Sequence, residues 1–199
     1  MNRLWRDMEQ YAREHELPIL RGAELPLFRN ILAAARPGHV LEIGTCIGYS
    51  ALQMAPYLRE GGMITTLELD AERAMTARQF IDQSQYSRAV TVINGDGTAL
   101  LDRLEGPWDF VFLDGPKGQY PRQIKKIIPK LLPQAIIVAD NMRYHDMIYI
   151  QGAVPHKHRT AVARLHEFLG IMNDDSLFET VFFENGDGMT VSRWKGYMK

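Results

Sequence analysis

What this sequence has little of narrows the field before any motif is read. One cysteine, Cys46, stands among 199 residues. An internal disulfide framework is therefore excluded, and a reducing, cytoplasmic location is expected. No apolar run approaches the roughly 20 residues that a membrane span needs. The opening MNRLWRDMEQYAREHE is charged throughout and has no apolar signal core. An excess of one charge is missing too. Lys and Arg number 23 against 24 Asp and Glu, a formal net charge of −1, so no overall basic field advertises nucleic acid. What is present is ordinary: 46% hydrophobic and 24% charged residues. That composition at this length predicts one domain with a substantial core.

The order of elements follows from periodicity. Leu4, Met8, Tyr11 and His15 recur at helical spacing, which predicts an amphipathic helix over residues 3–16. A second is expected over 22–35, with Leu25, Phe28, Ile31, Leu32 and Ala35 on one face and Arg36-Pro37-Gly38 as its stop. Strands and helices then alternate. The strands expected are 39–43, 63–69, 89–94, 108–114 and 135–140, all near-continuous apolar runs, as parallel strands covered on both faces require. Helices are expected over 48–59, 71–84, 97–104 and 119–132. Alternation of this kind implies right-handed βαβ units. The tail differs. A helix over 158–172 leads to LFETVFFE, then NGDG, then MTVSRW, which predicts an antiparallel hairpin. The fold class expected is α/β: a Rossmann-like, doubly wound seven-stranded sheet, mostly parallel, closed by that hairpin. Residues 1–36 supply N-terminal helices and 37–199 the core of the same domain.

The first strand runs into LEIGTCIGYS. A glycine-rich turn there lets backbone approach a ligand at the switch point of the sheet. The dinucleotide fingerprint needs G-x-G-x-x-G, whereas this chain has Gly44-x-x-x-Gly48 with Cys46 between. A pyrophosphate cradle is poorly supported, and the Walker pattern is absent. Glu42, ahead of the glycines, suits a ligand with positive charge. Glu68 ends the second strand, where a carboxylate accepts both hydroxyls of a ribose. Asp96 follows the third strand, before Gly97, in position to meet an adenine edge. Each acid alone reads equally well as a solvated strand end. Together they describe a nucleoside with a cationic tail and no phosphates, which fits S-adenosylmethionine.

At this point the sequence resembles the class I S-adenosylmethionine-dependent methyltransferases, and within them the cation-dependent O-methyltransferases of the catechol and caffeoyl-CoA type. LEIGTCIGYSA is similar to that group's first motif. TLELD, NGDG, LDGPKGQY and VADN follow in order, and GDGMTVS resembles its closing hairpin. The match runs from about Gly22 to Trp194. The resemblance implies cofactor contacts at Glu42, Gly44, Thr45, Gly48, Tyr49, Ser50, Glu68, Asp96, Gly97 and Asp114. It also implies a metal set of Asp114, Asp140 and Asn141, with Lys117 as catalytic base.

The residues agree with that set on their own terms. Asp114 and Asp140-Asn141 end the fourth and fifth strands, which are neighbours in this topology. Two carboxylates and an amide oxygen are hard ligands suited to Mg²⁺, or to Mn²⁺ or Ca²⁺, with positions left open. The bland alternative is that both acids cap helices. A lysine is protonated in neutral water. A divalent cation and partial desolvation are what would let one act as a base. A loop lysine is otherwise merely solvated. Tyr120 closes the same motif, in a packing or acceptor-contact role.

Two acceptors are consistent with the resemblance: a small hydroxylated aromatic of the catechol kind, or the wobble 5-hydroxyuridine of tRNA. Arg143, His145, His156, Lys157, His158, Arg159, Arg164 and His166, with Lys125, Lys126 and Lys130, form a candidate basic face for RNA. A solvated surface is the alternative. The short segment ahead of the first motif and the departure at MRYHDMIYIQG suggest an open acceptor site. Two further readings are a catalytically silent cofactor-binding module and a nicotinamide dehydrogenase, and the missing third glycine argues against the latter. Leu4, Trp5, Met8 and Tyr11 are expected either to seal a homodimer or to pack on their own domain.

Overall fold

The computed structural model describes residues 2–22 and 24–196. Seven strands form one sheet: β1 (His39–Ile43), β2 (Met63–Glu68), β3 (Val90–Asn94), β4 (Trp108–Leu113), β5 (Leu131–Ala139), β6 (Phe178–Phe183) and β7 (Met189–Trp194). Their order is β3-β2-β1-β4-β5-β7-β6. The first five strands pair in parallel. β7 runs antiparallel to both β5 and β6, as the NGDG hairpin predicts. The chain winds outward from β1 to β3, then returns to β4 on the other side. β1 and β4 therefore flank the switch point, where a crevice opens at the carboxyl ends of the strands.

The helices are α1 (Asn2–Glu14), α2 (Glu24–Ala35), α3 (Tyr49–Met54), α4 (Ala71–Asp82), α5 (Gly97–Leu100), α6 (Tyr120–Ile127) and α7 (Arg159–Met172). Of the helix expected over 22–35, residue 23 lies outside the described residues, as do residues 197–199 of the expected domain.

Side-chain alternation along the strands sorts the core into two layers. Val40, Ile64, Phe110, Phe112 and Val138 face α1 to α4, where they meet Met8, Phe28, Leu32, Leu52 and Ile81. Leu41, Ile43, Val111, Leu113 and Ile137 face the opposite way, against Tyr120, Ile124, Leu165 and Phe168 of α6 and α7. Full burial of each such side chain contributes about 1.5–3 kcal/mol. Leu4 and Met8 are buried in the first layer, and Trp5 and Tyr11 pack against it. The α1 stripe thus packs within its own domain.

Three helices are shorter than the pattern predicts by four residues or more, two of them where a proline intervenes. Pro56 turns the end of the expected 48–59 helix into a 3-10 turn over Ala55–Tyr57. The helix expected over 97–104 stops at Leu100. In IIPKLLPQ, Pro129 starts a 3-10 turn, because a proline cannot continue the i to i−4 ladder. β5 then begins early, at Leu131, with Trp108 opposite Leu131 and a register shift before Phe110. Among the described residues no helix is long and apolar enough to cross a membrane.

Candidate functional site

A cavity of about 1110 Å³ lies along the carboxyl edge of the sheet. Every strand from β3 to β5 contributes the residues just past its end. In spatial order these are Asp96, Gly97 and Thr98; Glu68, Leu69 and Asp70; Gly44 and Cys46; Asp114 to Lys117; and Asp140 with Asn141. The site residues expected from five separate sequence motifs therefore meet in one space.

The glycine loop is held from beneath. Gly44 has φ +105°, and a Cβ there would lie 2.5 Å from the Asp114 carbonyl oxygen. No other residue type fits both the conformation and that approach. Gly44 and Thr45 N–H donate to Leu67 O, at 3.0 and 3.3 Å. Glu68 is 7% exposed. Its Oε2 accepts from Cys46 N–H at 2.7 Å and its Oε1 from Asp70 N–H at 3.0 Å. Two backbone donors thus fix the carboxylate, and each oxygen keeps a lone pair for a ligand diol. Asp96 caps α5, its Oδ1 accepting from Thr98 N–H at 2.7 Å and Ala99 N–H at 3.1 Å. Asp96 thus serves as a helix cap rather than a solvated strand end, and it lines the cavity as well.

Other members of the first motif lie behind the cavity wall. Glu42 is fully buried and its Oε1 accepts from the Ser50 hydroxyl. Its Oε2 is buried without a hydrogen-bond partner. Burial pushes the Glu42 carboxyl up to about 8, more than the Ser50 and Thr66 hydroxyls hold it down. An orphaned acidic oxygen below the loop is a fit for a cationic ligand group. Thr45 bonds Thr66 through the two hydroxyls at 2.5 Å. Gly48 lets α3 pack on α4, since a Cβ would meet Ile81 Cδ1 at 3.2 Å. The Tyr49 hydroxyl donates to Glu9 on α1 at 2.8 Å. It lines a smaller neighbouring cavity of about 210 Å³, not the large one.

At the other end, Asp114 and Asp140 follow the adjacent strands β4 and β5. Burial raises the Asp114 carboxyl against the pull of Lys117. Burial, and then the Asp114 charge, raise Asp140 to about 7. Asp140 Oδ1 accepts from Asn141 N–H at 2.8 Å. Asn141 itself adopts φ +53°, a left-handed turn that asparagine tolerates better than most residues. Two under-neutralised carboxylates with an amide beside them fit a hard divalent cation. Among the described residues no group of three His, Cys, Asp or Glu could hold a metal, so the set relies on the asparagine as its third member.

Lys117 Nζ lies 3.5 Å from Asp114 Oδ1 and donates to the Tyr120 hydroxyl at 2.8 Å. Tyr120 is fully buried and in turn donates to Leu113 O at 2.7 Å. Its ring packs edge-on to Phe168, centroids 5.3 Å apart. Tyr120 therefore does not line the cavity. It is a pedestal that holds Lys117 Nζ toward it.

The acceptor end corrects one expectation. No residue of 143–166 lines the cavity; its remaining wall includes Pro18 to Gly22, Glu24 and Asp187, with Arg73, Gln119 and Gln123. Glu24 Oε1 accepts from Asp187 N–H at 2.6 Å, joining α2 to the β6–β7 turn. The candidate basic face is largely spent within the chain. Arg143 pairs with Asp146 and donates to Glu184 O and Gly186 O. Lys125 and Arg164 share Glu167, Lys126 meets Asp102, Lys130 turns to Leu101 O and Leu104 O, and Arg159 to Val154 O. Glu24 and Gln123 belong to no motif, and Asp187 sits in the NGDG turn, which predicts only a hairpin, so none of the three is expected at the site from sequence.

A family model described as O-methyltransferase matches residues 8–195. The catechol O-methyltransferase of Niastella koreensis is 29% identical over 160 residues, 77% of this chain and 72% of that one. A caffeoyl-CoA O-methyltransferase of Stellaria longipes is 27% identical over 173 residues, 82% of this chain and 70% of that one. The crystal structure of an O-methyltransferase from Bacillus cereus in complex with SAH shares the fold, with a TM-score of 0.88 at 21% identity over 96% of this chain and 90% of that one. Since the family model spans all but the two ends of the chain, and its strands carry the expected motifs to one edge, this protein belongs to the O-methyltransferase family.

Proposed function

We propose that this protein transfers a methyl group from S-adenosylmethionine to a hydroxyl with an adjacent oxygen on a small aromatic acceptor, with a divalent cation at Asp114, Asp140 and Asn141. One observation carries the reading. A single cavity joins a nucleoside-type end, Glu68 and the Gly44 loop, to a cation-type end where Lys117 also points. The SAH in the Bacillus cereus relative and the names of the catechol and caffeoyl-CoA relatives support it.

In this reading Glu68 binds the ribose, and Glu42, buried behind the cavity wall, ionises to offset the cofactor's positive charge without touching it. Asp114, Asp140 and Asn141 would hold the cation, which supplies Lewis acidity so that an acceptor hydroxyl ionises near neutral pH. Lys117, steadied by Tyr120, takes the hydroxyl proton at Nζ. Gly44 and Asp114 touch through backbone, which keeps donor and acceptor ends at a fixed separation, as an in-line displacement needs. A small acceptor is favoured over tRNA because no residue of the candidate basic face lines the cavity.

The test is transfer of labelled methyl from S-adenosylmethionine to catechol with Mg²⁺, with and without chelator, and in parallel to tRNA carrying 5-hydroxyuridine. Labelled catechol that disappears with chelator is the expected result. Label on tRNA alone would move the acceptor to RNA, and no label on either would sink the reading.

A further inference from the structure

One polar atom in the cavity wall has no part in the chemistry described so far. Gln123 on α6 is 2% exposed and lines the cavity beside Asp96, Gly97 and Thr98. Its Nε2 donates to Thr98 Oγ1 at 3.3 Å. Its Oε1 is buried with no hydrogen-bond partner. A buried amide oxygen left unpaired is costly, and native structures rarely tolerate one without a reason. Leucine or methionine would occupy the same helix face, between Tyr120 and Ile127, without that cost.

The backbone and lysine donors around it are already committed. Thr98 N–H and Ala99 N–H point to Asp96. The Lys126 side chain goes to Thr98 O and Asp102. The Thr98 hydroxyl already accepts from the Gln123 amide nitrogen, so the cavity that Gln123 lines is where a ligand would supply the missing donor. In the cofactor reading above, with the ribose at Glu68 on β2, the base would extend toward the end of the neighbouring strand β3. There Asp96, Thr98 and Gln123 converge. A 6-aminopurine carries an exocyclic N–H₂ donor, whereas a 6-oxopurine would set oxygen against oxygen.

We propose that Gln123 Oε1 accepts a hydrogen bond from the exocyclic amino group of adenine, and that Gln123 is the residue that selects an adenine nucleoside over a 6-oxopurine one. The Thr98 hydroxyl fixes the amide so that its oxygen faces the base. This rests on the cofactor reading above.

Calorimetry on the full chain separates the possibilities, with S-adenosylhomocysteine and S-inosylhomocysteine as ligands; the second carries a carbonyl in place of the amino group. The wild type should prefer the adenosyl ligand by about tenfold or more, the value of one buried hydrogen bond against an unpaired acceptor. Gln123→Met should collapse that preference to about twofold or less, by weakening the adenosyl ligand alone. Gln123→Ala gives the same comparison should the methionine variant not fold. Equal weakening of both ligands, or an unchanged preference in the variant, overturns the role. Equal binding of both ligands by the wild type overturns it too. If neither ligand binds the wild type, the cofactor reading itself has failed, and this inference falls with it.

Discussion

Two carboxylates sit at opposite ends of one strand and are treated in opposite ways. Asp109, near the start of β4, accepts from Gly38 N–H at 2.9 Å and His39 N–H at 2.8 Å, and pairs with Arg59 at 3.1 Å. Asp114, just past the strand's end, has one lysine at 3.5 Å and a proton affinity raised by burial. The saturated acid ties β4 to the start of β1 and asks for nothing more. The under-satisfied one is held in the cavity wall at a cost that a bound proton or a further cation would offset. Position on the sheet decides which is which. Structural acids belong to the amino edge, and chemistry belongs to the carboxyl edge, where α/β sheets bind ligands.

The sharpest way to break that comparison is to delete each acid in turn. Asp114→Ala should abolish methyl transfer and its response to Mg²⁺, while the metal-free protein melts no lower than wild type. Asp109→Ala should keep turnover at low temperature but lose about 2–3 kcal/mol of unfolding free energy in urea titrations, from its charge-assisted bonds. A catalytically normal Asp114 variant, or a dead but fully stable Asp109 variant, would dissolve the distinction.

A smaller effect tests how Lys117 is aimed. Lys117→Met should lower kcat by about 10²–10⁴-fold, the usual range for a general base, with cofactor Kd unchanged. Tyr120→Phe should lower kcat by about tenfold without moving KM, the measure of one lost orienting bond. In the Lys117→Met background it should do nothing further, because the two act as one unit. Additive losses would make Tyr120 a packing residue only.

The smallest effect concerns Glu42. Its carboxyl is raised to about 8 by burial, above the ordinary 4.5. A raised acid contributes stability that is fully present below the unfolded value and lost as pH climbs through the folded one. Ligand-free protein should therefore lose stability between pH 4.5 and about 8, and Glu42→Gln should flatten that slope in thermal melts. Cofactor binding below pH 8 should release a proton in the wild type and not in the variant. An identical slope in both would show that Glu42 does not carry this dependence.

The sequence made one side of the site easier to read than the other. Glu42, Gly44, Glu68, Asp96 and Asp114 fall at the ends of apolar runs, so strand periodicity alone aligns them along one edge. The same periodicity located every strand to within a residue or so at most ends. It failed at Leu131, where Pro129 and Pro133 disguise a strand as the tail of a helix. Tyr49, read in the first motif, turned its hydroxyl away toward α1. The acceptor wall was invisible for another reason. Glu24 and Asp187 are far apart in the chain and meet only through tertiary packing, which no local pattern records. Arg143 to His166 drew attention because charge clusters in sequence. In space Arg143, Arg159 and Arg164 turn to groups of their own chain, and no residue of that segment lines the cavity.

The bond from Asp187 N–H to Glu24 has a consequence for how the protein is made. The parts assigned to the cofactor all lie between Glu42 and Gln123, whereas the acceptor wall closes only when Asp187 reaches Glu24. Chains emerge from the ribosome amino end first, and a domain folds as a unit. Every residue assigned to the cofactor is thus made before Asp187, yet the cavity is whole only once the last turn of the sheet arrives to close its wall. That turn acts as the clasp of the site.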